Sequence, residues 1–208
     1  GSARRGVGSG AAAVQRPEVL PALVGSLKLL ANLLAGCEEA KLACVSLQLP
    51  LLMLRLWPLS AASLTLRTQL LTLLCCYVAR CSAAKASLSA YSDSKGRCVA
   101  TLVVRMLTKP PRPTSPPLPD GHWRVGWAAL RSLATAAESR AALVRASLIP
   151  KAVSLLQRNL GAADESRAAP LLDFFANLTF EAEGQSALRK EAEGFNAILE
   201  GLESKLPE

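Results

Sequence analysis

The chain contains one histidine, His122, set between Gly121 and Trp123. Nucleophilic catalysis needs a nucleophile, a base and an orienting group within hydrogen-bond reach of one another. No Ser, Cys or carboxylate stands at a recognisable spacing from His122, so this residue is expected to be solvent-exposed or to cap a helix. Six cysteines stand at 37, 44, 75, 76, 81 and 98. None forms part of a doubled Cys-x-x-Cys set or a Cys and His set at zinc spacing, and no metal is expected. Four of them fall in apolar helical stretches, where a thiol packs as a small hydrophobe. Reduced thiols point to a cytoplasmic setting, with the nucleus or centrosome as variants. Glycine loops that cradle phosphates are absent. Glu181, Glu183, Glu191 and Glu193 alternate near the C-terminus, as on a solvated helix end. These residue types support no enzyme, no cofactor and no small-molecule substrate.

The elements that carry them read as helices. Of the 208 residues half are hydrophobic, mainly Leu, Ala and Val, and only 4% are aromatic, a composition of packed helices and not of sandwiches or barrels. The expected fold class is all-α. Residues 1–120 hold 14 Lys or Arg against 5 acids, and residues 121–208 hold 10 against 11. The basic residues of the first part are spread and not interleaved with aromatics, which suits a solvated face or an acidic protein partner better than nucleic acid. Leu42 to Leu59 is interrupted by Pro50, Arg55 and Pro58, and Leu64 to Ala79 by Arg67 and Gln69. Neither supplies the roughly 20 apolar residues of a membrane span, and no membrane insertion is expected. Gly1-Ser2 reads as a cloning remnant, residues 1–15 as a disordered segment without a signal-peptide core, and residues 16–208 as one helical domain.

Self-similarity organises that domain. The stretch from Asn32 to Pro50 parallels that from Ser132 to Pro150, a degenerate version opens at Cys76, and a fourth opens at Asn177. These anchors are spaced 44, 56 and 45 residues apart. The middle excess coincides with six prolines between Lys109 and Gly121, which cannot continue a helix and favour an extended, solvated chain. This loop, 109–121, is expected to be an insertion into one repeat. Its Pro110-Pro111-Arg112-Pro113 and Pro116-Pro117 runs resemble ligands of adaptor domains with aromatic grooves, and Thr114 and Ser115 are potential phosphorylation sites. Each unit reads as a long, a short and a medium helix. In the third unit these are Gly121 to Ala137, Glu138 to Ala146, and Ile149 to Leu160, the last opening on proline. Asp164 or Ser166 can cap the next long helix. Phe195 to Leu206, apolar on one face and acidic on the other, reads as a terminal cap.

The pattern Leu-x-Asn-Leu, a polar turn, a small apolar helix and then Pro-x-Leu-x-x-Leu-Leu resembles the armadillo repeat from about Arg16 to Glu208. A remoter resemblance is to rotatin-like scaffolds of centrioles and cilia. The resemblance implies a right-handed superhelix of about four repeats and a non-catalytic scaffold that holds a partner protein segment in its concave groove. Alternatives are an adaptor recognised through its proline-rich loop, or a structural module of a larger centriolar or cytoskeletal scaffold. The family's usual glycine before the second helix is missing except as Gly194. In armadillo stacks an asparagine near the end of each long helix holds the backbone of the ligand, and Asn32 and Asn177 match that position. The alternative role for such an amide is to stabilise its own turn. Where nuclear-signal receptors carry tryptophan one turn earlier, this chain has Lys28 and Asp173. Trp123 and Trp127 could clamp a ligand, although core packing of at least one is the more ordinary use of such a pair. Lys28, Asn32, Trp127, Arg131, Asp173 and Asn177 are therefore the expected partner-binding set.

Overall fold

The computed structural model describes residues 19–109, 119–162, 164–179, 182–191 and 196. Expectations for residues 1–15, for the prolines and phosphorylatable residues within 110–118, for Glu181 and Glu193, and for the helix Phe195 to Leu206 (Asn196 apart) fall outside them. Among the described residues all regular structure is helical. In order, the helices are α1 (Val19–Leu34), α2 (Glu38–Ser46), α3 (Leu49–Ser60), α4 (Leu64–Val78), α5 (Ser82–Ala90) and α6 (Val99–Thr108). They are followed by α7 (Asp120–Ala134), α8 (Ala137–Arg145), α9 (Leu148–Gly161), α10 (Glu165–Thr179) and α11 (Ala182–Arg189). The order long, short, medium thus recurs, with the short helices opening at residues 38, 82, 137 and 182. The chain divides into two compact units, one ending at Val99 and the other beginning at Ala100.

In the first unit α4 is the central helix, packed against α1, α3 and α5, while α2 packs on α5. Leu66, Leu70, Leu71, Leu73, Leu74, Tyr77 and Val78 bury most of its circumference. The Ser63 hydroxyl opens it by accepting the amide of Leu66 at 3.2 Å, a side-chain cap that satisfies one of the orphan donors. Against it α1 lays the stripe Leu27, Ala31 and Leu34, three residues at helical spacing.

In the second unit the long helices α7 and α10 form the principal pair, and α9 packs on α10. Trp127 sits between them with no exposed surface, its ring 5.7 Å from Trp123 and 5.4 Å from Phe174. Gly126 lets α6 approach: a Cβ there would meet the Leu107 side chain at 2.8 Å. Asp164 opens α10 by accepting the amide of Arg167 at 3.2 Å, as expected, and Ser166 donates to the same carboxylate.

Two of the short-to-medium turns, α2 to α3 and α8 to α9, share one geometry. Gln48 and Ser147 adopt left-handed backbone with φ of 57° and 52°, and their amides close on Val45 and Val144. These are positions where glycine would sit without strain, so the backbone keeps a conformation that the residue types do not advertise. The turn at Gln48 bends α2 from α3 by 79°. That pair has the length and apolar character of a span only when taken together, and no single helix among the described residues is long and apolar enough to cross a membrane.

The long middle interval is not caused by the proline segment alone. Between α5 and α6 runs a structured loop, 91–98, where the corresponding α2 to α3 turn has only residues 47 and 48. Asp93 organises it by accepting the amides of Lys95 and Arg97, both at 2.9 Å, and pairing with the Arg97 guanidinium. Gly96 supplies the left-handed residue, φ 69°. The Arg97 hydrogen bonds, side chain first and then amide, hold the Asp93 carboxyl down at about 2.

Candidate partner-binding surfaces

The surfaces that remain for a partner are set by how each long helix ends. A helix leaves its last carbonyls without intrahelical donors, and three of the short helices supply one here from one repeated place. The fourth residue of the short helices is Lys41, Lys85, Arg140 and Gln185. Arg140 Nη1 donates to the Ala134 carbonyl at 2.8 Å, and Gln185 Nε2 to that of Thr179 at 2.7 Å, each closing the long helix just before it. Lys41 Nζ reaches across to Ala79, at the end of α4. Lys41 and Arg140 are only 5% and 6% exposed, so these cations belong to the architecture and not to a docking face. A positive group at a helix C-terminus also complements the helix dipole. Lys85 is half-buried at the same place, and desolvation pushes its ammonium pKa down.

The residue before each donor is small: Ala40, Ala84, Ser139 and Gly184. Gly184 shows why. A Cβ there would stand 2.1 Å from the Leu178 carbonyl oxygen, so the short helix rests backbone on backbone against the end of α10. Four pairs of small residue followed by donor recur in the sequence. They sit in the short helices, away from the Asn32, Cys76, Ser132 and Asn177 anchors that mark the repeat on the long ones.

On the outer side of the second unit, Arg131 Nη1 and Asp173 Oδ2 lie 3.0 Å apart, with side chains 46% and 62% exposed. A pair so open to water contributes about 0–1 kcal/mol and leaves both groups available to a partner. Asn177 donates its amide to the Asp173 backbone carbonyl at 2.8 Å, one turn back in its own helix. Its nitrogen thus does the local work that was the alternative to ligand binding. In the first unit Lys28 and Asn32 are both exposed on α1. The structure brings Arg131, Asp173 and Asn177 together; Lys28 and Asn32 share α1, one turn apart.

Two expectations need correction. Trp127 is fully enclosed between α7 and α10 and forms no part of a surface. Trp123 is enclosed too, donating Nε1 to the Arg167 carbonyl at 3.1 Å under that residue's guanidinium, so the pair is core and not a clamp. His122, expected at the surface, is 6% exposed. It shares the inward face of α7 with Trp123 and Gly126, and helical position overrides the polarity of the side chain.

All six cysteines are free thiols, with Cys44, Cys81 and Cys98 buried. Burial pushes the Cys44 thiol pKa up, which makes it less reactive. Cys37 caps α2, its sulfur accepting the amide of Ala40 at 3.4 Å. Among the described residues no three His, Cys, Asp or Glu side chains gather as a metal site. Comparison with protein-family models, with curated proteins and with solved structures finds no match to this chain.

Proposed function

We propose that the chain is an armadillo-like scaffold of about four repeats that binds a partner protein segment and catalyses no reaction, in a cytoplasmic setting. The observation that carries this reading is the recurring long, short and medium order, in which the long helices α1, α7 and α10 each bury one face and turn another outward. The outward residues of the long helices are the ones available for recognition: Lys28 and Asn32 on α1, Arg131 on α7, and Asp173 and Asn177 on α10. Repeat folds commonly recognise partners on a surface that recurs from unit to unit, which favours this face over the capped turns. Because Arg131 meets Asp173, the partner need not bring a base to that point; a peptide backbone or a polar side chain suffices.

A partner captured by the full chain supplies the test. Asn32→Ala combined with Asn177→Ala, with helicity retained, is expected to weaken binding by about 0.5–1.5 kcal/mol for each neutral hydrogen bond removed. Deleting residues 111–119 is expected to leave binding in place. Loss of the partner on that deletion, with the double variant binding normally, would move recognition to the proline-rich loop and overturn the reading.

A further inference from the structure

Helix α1 is apolar on two opposite sides, and among the described residues only one of them is covered. Its stripe Leu27, Ala31 and Leu34 is buried, while Leu29 and Leu33 stand 62% and 58% exposed. At 100° per residue the second pair points away from the first and continues through exposed Ser26 and Ala22, a 4-3-4 spacing along the helix. The Ser26 hydroxyl donates back to the Ala22 carbonyl at 2.9 Å, so it presents little polarity outward. Beside this stripe a Cβ added at Gly25 would meet nothing within 4 Å. Small residues in one half and leucines in the other form the kind of seam into which another helix packs.

The charge around the seam selects its occupant. Helix α1 carries no acid, and its one charged residue is the exposed Lys28, beside Leu29. Residues 19–99 hold eight Lys or Arg against three acids, or six against two once the Asp93 and Arg97 pair and the buried Lys41 are set aside. We infer that the outer face of α1 docks an acidic amphipathic helix of a partner protein, its apolar residues on Leu29 and Leu33 and a carboxylate at Lys28. A membrane surface fits less well, since an interfacial helix is rich in cations on its polar side and α1 offers one. This inference shares Lys28 with the proposed function, adds Leu29 and Leu33, and does not depend on the binding role proposed for Arg131, Asp173 and Asn177.

The test is fluorescence anisotropy at low salt with the full chain and a labelled synthetic helix that has leucines at 4-3-4 spacing and glutamates on its flanks. Saturable binding is expected, at least about tenfold tighter than for the same peptide with lysines replacing the glutamates. Leu29→Ser with Leu33→Ser, helicity being checked by circular dichroism, should weaken binding at least about tenfold. Lys28→Glu should weaken it several-fold, and Gln157→Ala, at an exposed position of α9, should leave it unchanged. Absent binding, or binding indifferent to the leucine and lysine variants, overturns the inference. So does self-association in sedimentation that the leucine variants abolish, which assigns the face to a second copy. Binding to anionic lipid vesicles that the same variants abolish assigns it to a membrane and equally overturns it.

Discussion

Gly184→Ala isolates the contact that seats a short helix on the end of a long one. The added Cβ would lie 2.1 Å from the Leu178 carbonyl oxygen, 3.0 Å from its carbon and 3.2 Å from its Cα. Ordinary contact begins at 3.4 Å, so α11 or the end of α10 must move by about 1.3 Å (3.4 less 2.1), and backbone has no rotamer with which to yield. Overpacking of this kind costs about 1–3 kcal/mol, and the better helix propensity of alanine returns about 1 kcal/mol of it. The net expectation is a loss of up to about 2 kcal/mol, concentrated in α11. Gly25→Ala is the control, since it gains the same propensity with nothing within 4 Å. Urea unfolding should show Gly25→Ala stabilised by about 0.5–1 kcal/mol. Hydrogen exchange should show faster exchange at the amides of Ala182–Arg189 in Gly184→Ala, with α7 little affected. If Gly184→Ala is as stable as Gly25→Ala and α11 keeps its protection, the close seating of short on long helices is wrong.

Three further expectations rest on the same architecture. Arg140→Met, which removes the charged donor to Ala134, should cost about 1.5–3 kcal/mol in urea unfolding, with Arg140→Lys recovering part of it. Ser147→Gly should raise stability by up to about 1 kcal/mol, because glycine holds the left-handed turn without the steric cost that serine meets; an unchanged or lower midpoint counts against that conformation. The Asp93 carboxyl, depressed to about 2, favours the folded loop at pH above its ordinary value near 4, and that contribution is lost as pH falls through about 2. Carboxyl NMR should therefore show Asp93 titrating near 2 with the amides of Lys95 and Arg97 moving together, and titration near 4 would contradict the loop geometry.

Much of the fold was legible because apolar spacing and proline placement act locally. Pro50 and Pro150 each fall in the first turn of a medium helix, and Leu130 and Leu133 fall on the buried side of α7. The same counting places Trp127 and His122 inside, against what their residue types suggest. The turns at Gln48 and Ser147 were illegible for a different reason: packing holds a left-handed backbone there on residues that would not choose it. Loop 91–98 leaves no periodic signal in the sequence, because its order comes from one carboxylate, Asp93. The Arg131 and Asp173 contact joins residues 42 positions apart and could come only from three-dimensional structure.

The proposed scaffold role is tested most directly by photo-crosslinking a bound partner to single probe residues introduced at exposed positions. Probes at Ala128 and Arg131 on α7 and at Leu172 and Ala176 on α10 sample the outward face of the long helices. Probes at Ser154 and Gln157 sample the exposed side of the medium helix α9. Crosslinks concentrated on α7 and α10, and weakened by Asn177→Ala, are the predicted result. Crosslinks confined to Ser154 and Gln157, or a pattern indifferent to the position of the probe, would contradict it.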